Sequence, residues 1–163
     1  MTRREYNNTV KALSDNLFRF AMHHLRIEED ASDIVQDCFM KLWDNRKKID
    51  SQKVTKWLFV TANNAIIDCA KRKQKRPQVD IEESHKLSSD FDNYDTKNIL
   101  DFCLDQLPSE QKSIILLRDL EGYDYKQIGE ILELTESQVK VYLFRARKKF
   151  QSIYNAQLTT NKA

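Results

Sequence analysis

The chain has 163 residues, 40% of them hydrophobic, and a formal net charge of +2, which suits one ordinary domain or two small ones with modest cores. Its two glycines (Gly122, Gly129) and two prolines (Pro77, Pro108) argue against a turn-rich sheet protein and a glycine-rich phosphate cradle, so an all-helical fold is expected. No run of about 18 apolar residues occurs, and Met1-Thr2-Arg3-Arg4-Glu5 leads into polar sequence without a signal-peptide stretch, so a cytoplasmic chain is expected.

Val10, Leu13, Leu17, Phe20, Ala21 and Leu25 fall on one helical face and predict a first helix from Thr9 to about Arg26. A second, with Asp30 as its cap, turns Ile34, Val35, Cys38, Phe39, Leu42 and Trp43 inward. Asp33, Gln36, Asp37, Lys41 and Asp44 fall mostly on its outer face. A polar loop from Arg46 to Lys53 follows. The period restarts at Val54, Trp57, Leu58, Thr61, Ala62, Ala65, Ile66 and Cys69, in a third helix reaching about Lys73 whose basic last turn suits the negative helix end.

From about Lys75 to Asp95 the sequence is aperiodic and rich in Asp, Glu, Ser and Asn. A loop of about 20 residues is unusual inside one compact domain, so a flexible acidic linker between two small helical domains is predicted. Ile99, Leu100, Cys103, Leu104 and Leu107 mark a short helix ending before Pro108. Pro108-Ser109-Glu110 starts another, which carries Ile114, Ile115, Leu117 and Leu120 and ends at Gly122. A helix from Tyr125 to Leu132, the turn Glu133-Leu134-Thr135, and a basic helix to about Ser152 capped by Thr135 with Gln138 complete a helix-turn-helix pattern.

Charge is segregated along the chain. Residues 51–76 hold seven Lys/Arg against Asp68 alone, residues 77–105 hold eight acids against two lysines, and residues 136–163 hold six Lys/Arg against Glu136. Two basic stripes flanking an acidic one point to two contacts with a polyanion. Cys38, Cys69 and Cys103 are far apart and sit among apolar residues, so reduced core cysteines are expected. Trp43 and Trp57 lie in apolar stripes and are expected in the core rather than stacked on bases.

Two segments carry a family resemblance. Asp30 through Trp43, with Trp57-Leu58-Phe59-Val60-Thr61-Ala62-Asn63-Asn64 and the basic end after Asp68, resembles sigma domain two. Leu107-Pro108-Ser109-Glu110-Gln111, Leu116 through Tyr125, Ile128-Gly129-Glu130-Ile131-Leu132 and Val139 through Lys149 resemble sigma domain four. The chain thus resembles the extracytoplasmic-function group of bacterial sigma factors, which direct core RNA polymerase to promoters.

The resemblance implies domain two at 1–76, a linker at 77–97, domain four at 98–155 and a tail at 156–163. It implies polymerase contact by Asp33, Gln36 and Asp37. It implies minus-ten contact by Asn63, Asn64, Lys71 and Arg72 with the loop from Lys47 to Lys53. Arg118, Tyr125 and Lys140 would touch phosphates of the minus-thirty-five element, and Val141, Phe144 and Arg145 would face its bases. It also admits an anti-sigma factor as partner.

Helical spacing places Lys140, Val141, Phe144, Arg145 and Lys148 largely on one face, opposite a core stripe of Val139, Leu143, Ala146 and Phe150. Arg145 suits a guanine and Phe144 a thymine methyl; burial of Phe144 in the core is the competing reading. Glu133 stands where the family usually has glycine, and a non-glycine residue at positive φ costs on the order of 1 kcal/mol, so a turn of another type is expected. Val141 and Tyr142 replace residues that are commonly small or basic, and no promoter sequence carries over.

A self-standing helix-turn-helix regulator would account equally for residues 107–150, though not for an acidic helix followed by a basic one in residues 30–76. Enzymatic function has little support. His23 and His24 point about 100° apart on a helix, His85 lies in the linker, and no nucleophile, base or metal set converges. No cofactor is expected.

Overall fold

The computed structural model describes residues 1–75 and 96–161, and all regular structure among them is helical. The acidic segment predicted as a linker lies outside the described residues, apart from Thr96 and Lys97, which already open a helix.

Helix α1, Arg3–Leu25, starts six residues before the predicted Thr9. A capping box explains the early start: Glu5 N–H donates to Thr2 Oγ1 (3.2 Å), and Thr2 N–H donates to Glu5 Oε2 (2.6 Å). It stops at Arg26, held left-handed at φ 59° with its N–H on Met22 O. Helix α2, Glu28–Asn45, begins after Ile27. Asp30 is therefore in the first turn rather than at the cap, where it sits 2.7 Å from Lys73 Nζ. A 3-10 turn, Ser51–Lys53, capped by Asp50, feeds helix α3, Val54–Lys75.

Helix α4 is Thr96–Asp105 and helix α5 is Ser109–Ile115. Helix α5 widens into a π turn, Leu116–Leu120, closed by Glu121 N–H on Leu116 O at 3.0 Å. Gly122, at φ 75°, supplies the left-handed step that ends it. Helix α6, Tyr125–Leu132, has an Asp124/Gln127 capping box. Helix α7, Glu136–Asn161, has the expected Thr135/Gln138 box and runs well beyond Ser152, so the predicted tail is helical as far as Asn161.

Glu133 corrects one expectation. It adopts the left-handed conformation itself (φ 59°, ψ 45°), so the turn keeps the geometry that glycine would favour, at the cost of a Cβ clash. The closeness of the turn is set by Gly129 instead. A Cβ there would lie 2.5 Å from Leu134 O, and Leu134 N–H donates to Gly129 O at 2.8 Å.

Leu17, Phe20, Leu42, Leu58 and Phe59 are among the large buried side chains of α1–α3; Ile114, Leu117, Ile128, Val139 and Leu143 are among those of the C-terminal helices. Each such side chain, fully buried, contributes about 1.5–3 kcal/mol. The two groups belong to one contiguous cluster, joined where the Phe59 and Tyr123 rings meet edge to face, 5.3 Å between centroids.

Candidate nucleic-acid interface

Helix α7 splits as its spacing predicts. Val139, Leu143 and Ala146 are buried, Phe150 is half-buried, and Lys140, Val141, Phe144, Arg145 and Lys148 face solvent. Phe144 is 67% exposed and Val141 45%, so the core reading of Phe144 is overturned. Large apolar groups held out in water beside three cations form a surface suited to base edges and thymine methyls.

Arg118, Tyr125 and Lys140, distant in sequence, come together. The Arg118 guanidinium lies 4.7 Å above the Tyr125 ring and Lys140 Nζ 5.7 Å from it. Arg118 Nη1 is fixed by donating to Tyr123 O at 2.9 Å. Two cations on one ring make a concentrated positive edge beside the exposed face of α7. Arg147, by contrast, turns away to pair with Asp119, with Nε donating to Oδ2 at 3.2 Å, and that hydrogen bond raises its pKa.

On α2, Asp33, Gln36 and Asp37 are exposed while Ile34, Cys38 and Leu42 are buried. Met40, 59% exposed, adds an apolar residue to this face, at a helical offset of three from Asp37. These acids and Asp30 share a cleft with Cys69, Arg72 and Lys73 of α3, so the acidic face and the basic helix end adjoin. Cys69 is half-exposed there rather than in the core. Cys38 is buried, and burial pushes its thiol up to about 11. Trp43 is half-exposed, its ring meeting Tyr6 at 4.9 Å with the Arg46 guanidinium 4.0 Å above it.

Lys47, Lys53, Asn64, Lys71 and Arg72 are exposed. Asn63 is not fully free: Ser113 Oγ of α5 donates to its Oδ1 at 3.4 Å. Among the described residues, no three His, Cys, Asp or Glu side chains group closely enough to hold a metal ion.

Residues 9–76 match the family model described as Sigma-70 region 2, and residues 97–150 match that described as Sigma-70, region 4. The chain is 27% identical over 146 residues to the ECF RNA polymerase sigma factor SigM of Bacillus subtilis, covering 86% of this chain and 90% of the relative. It is 28% identical over 134 residues to the RNA polymerase sigma factor SigV of the same organism, covering 82% and 81%. The chain belongs to the extracytoplasmic-function sigma factors.

This sigma factor shares its fold with solved structures at lower identity. One is the sigma factor RpoE in complex with the anti-sigma factor NepR from Bartonella quintana, with TM-score 0.74, 20% identity, and coverage of 93% of this chain and 98% of that one. Another is CnrH in complex with the cytosolic domain of CnrY, with TM-score 0.71, 20% identity, and coverage of 95% and 90%. The region 2 match accounts for the helices that a self-standing helix-turn-helix regulator leaves unexplained, and that alternative is set aside. The protein directs RNA polymerase to promoters for transcription initiation.

Proposed function

We propose that residues 1–76 act as domain two and residues from 98 through the end of α7 as domain four, with the intervening segment as linker. Asp33, Gln36 and Asp37 contact core polymerase, with Met40 as an apolar anchor beside them. Lys47, Lys53, Asn63, Asn64, Lys71 and Arg72 hold the minus-ten element. Arg118, Tyr125 and Lys140 grip phosphates of the minus-thirty-five duplex, while Val141, Phe144, Arg145 and Lys148 lie in its major groove. The protein works in the cytoplasm, carries out no catalysis of its own and is held by an anti-sigma factor, as the two structural relatives are bound to partner proteins.

The observation that carries this reading is the face of α7. Phe144 and Val141 stand in water between Lys140, Arg145 and Lys148, while the opposite stripe is buried. Run-off transcription with purified core polymerase on genomic fragments tests it. Discrete promoter-specific transcripts should appear with the intact chain and be lost with Phe144→Ala combined with Arg145→Ala. Unchanged transcripts from that double variant would remove the assignment of this face.

A further inference from the structure

Arg147 has no part in the contacts assigned above, which leave it paired with Asp119. Its surroundings are nonetheless those of the phosphate edge. It stands seven residues beyond Lys140 on α7, about two helical turns or about 10 Å farther along nearly the same line. It borders one open groove with Tyr125, Lys140, Phe144, Lys148 and Gln151. That groove runs along the exposed face of α7, and Lys140, Arg147 and Lys148 give it a positive lining.

Asp119 holds only one edge of the guanidinium. Nε donates to Oδ2 at 3.2 Å and Nη2 donates to Oδ1, the fork geometry that fits a carboxylate. The remaining N–H groups meet no acceptor among the described residues, and the side chain stays half-exposed. A guanidinium fixed along one edge and open along the others is preorganised for a second oxyanion, because much of the rotamer freedom of a long side chain is already lost. Asp119 cancels one charge, and Lys140 and Lys148 keep the groove positive.

The π turn supplies the anchor. Residues 112–117 are buried, whereas Arg118 is half-buried and Asp119 exposed. The wide turn, closed by Glu121 N–H on Leu116 O, brings both side chains out at neighbouring positions. Arg118 lies over Tyr125 and Asp119 holds Arg147. Adjacent residues of one turn thus fix two cationic points beside α7.

We propose that Arg147, oriented by Asp119, is a second phosphate contact for the minus-thirty-five duplex, gripping the DNA backbone about two helical turns beyond the Lys140 contact. Asp119 is a positioning residue that touches no DNA itself. The inference rests on the assignment of the α7 face to that duplex.

Anisotropy titrations of the full chain on a labelled duplex, taken from a promoter recovered in the run-off assay, test it. Arg147→Gln should weaken binding about tenfold, alike for preferred and altered sequences. It should also flatten the fall of log affinity with log salt by about 0.9, the change expected for one phosphate. Uncharged methylphosphonates then replace the phosphates of the duplex one at a time. One replacement should weaken the parent chain and Lys140→Ala strongly but leave Arg147→Gln almost unaffected. Asp119→Asn should lose sensitivity to that same replacement although its arginine is intact, an effect that a purely structural carboxylate would not produce. The double variant Asp119→Asn/Arg147→Gln keeps a neutral hydrogen-bonded link between α5 and α7, so it reads the phosphate contact even where a single variant folds poorly. It should match Arg147→Gln in slope and in methylphosphonate response. A parental slope and parental sensitivity at every phosphate in that double variant would overturn the proposal and leave Arg147 as a strut. If Lys140→Ala also leaves slope and sensitivities untouched, the assignment of α7 to the duplex falls as well.

Discussion

His24 makes the folded chain sensitive to acid. Burial, with the cations Lys112, His23 and Arg26 around it, pulls its pKa down from 6.5 to about 3. Ser113 and Asn63 of α5 and α3 are the neutral groups on its far side, and Asp101 and Asp105 of α4 face His23 and Arg26 beyond it. A histidine depressed in this way favours the packed state fully above the ordinary value, and that contribution fades as pH falls from 6.5 toward 3. At about pH 5 the exposed imidazole would be mostly protonated and the buried one mostly neutral, a loss of about 2 kcal/mol relative to neutral pH. Urea unfolding of the intact chain and of His24→Gln, followed by circular dichroism between about pH 7.5 and pH 5, measures it. The difference between the two curves should narrow by about that amount on acidification. Parallel curves would show that His24 stays hydrated and that α5 does not seal it from water.

Three further outcomes follow from local geometry. Glu133→Gly should raise the melting temperature by relieving the left-handed strain at φ 59°, a gain of about 1 kcal/mol. Gly129→Ala should cost more than that gain and weaken duplex binding, because its Cβ meets backbone oxygen at 2.5 Å, a clash that only movement of the α6–α7 turn can relieve; an unchanged melting curve would contradict this. Arg145→Ala should relax discrimination at one or two base pairs of the minus-thirty-five element at a cost of about 1–3 kcal/mol, while Lys140→Ala should weaken all sequences alike in fluorescence-anisotropy titrations.

Helix α6 was legible to the residue, and α7 from its first residue, because the Asp124/Gln127 and Thr135/Gln138 boxes and the buried stripe of Ile128, Ile131, Val139 and Leu143 all point the same way. Helix starts without a periodic stripe were harder. The first turns of α1 carry polar residues, so only the Thr2/Glu5 box marks the beginning. The π turn at Leu116–Leu120 has no sequence period of its own. Asp30 shows how a local rule can mislead: it is a good capping type, yet the chain begins α2 at Glu28, leaving Asp30 to pair with Lys73 across the cleft.

The site residues were legible where exposure follows from helical spacing, as at Phe144 and Asp37, and illegible where a distant element decides. Asn63 has an ordinary polar position on α3, and nothing in its neighbourhood in sequence foretells Ser113. Lys112 reads as a surface lysine in the first turn of a short helix; its burial is set by the end of α1, 89 residues earlier in the chain. The same holds for His24, a poor metal ligand by spacing, which becomes a buried neutral group only because α5 covers it. Each of these three residues lies where α1–α3 meet α5. The faces proposed to meet nucleic acid are therefore written locally, as helix periodicity with charge, whereas the packing of α5 on the end of α1 is written between residues far apart in the chain.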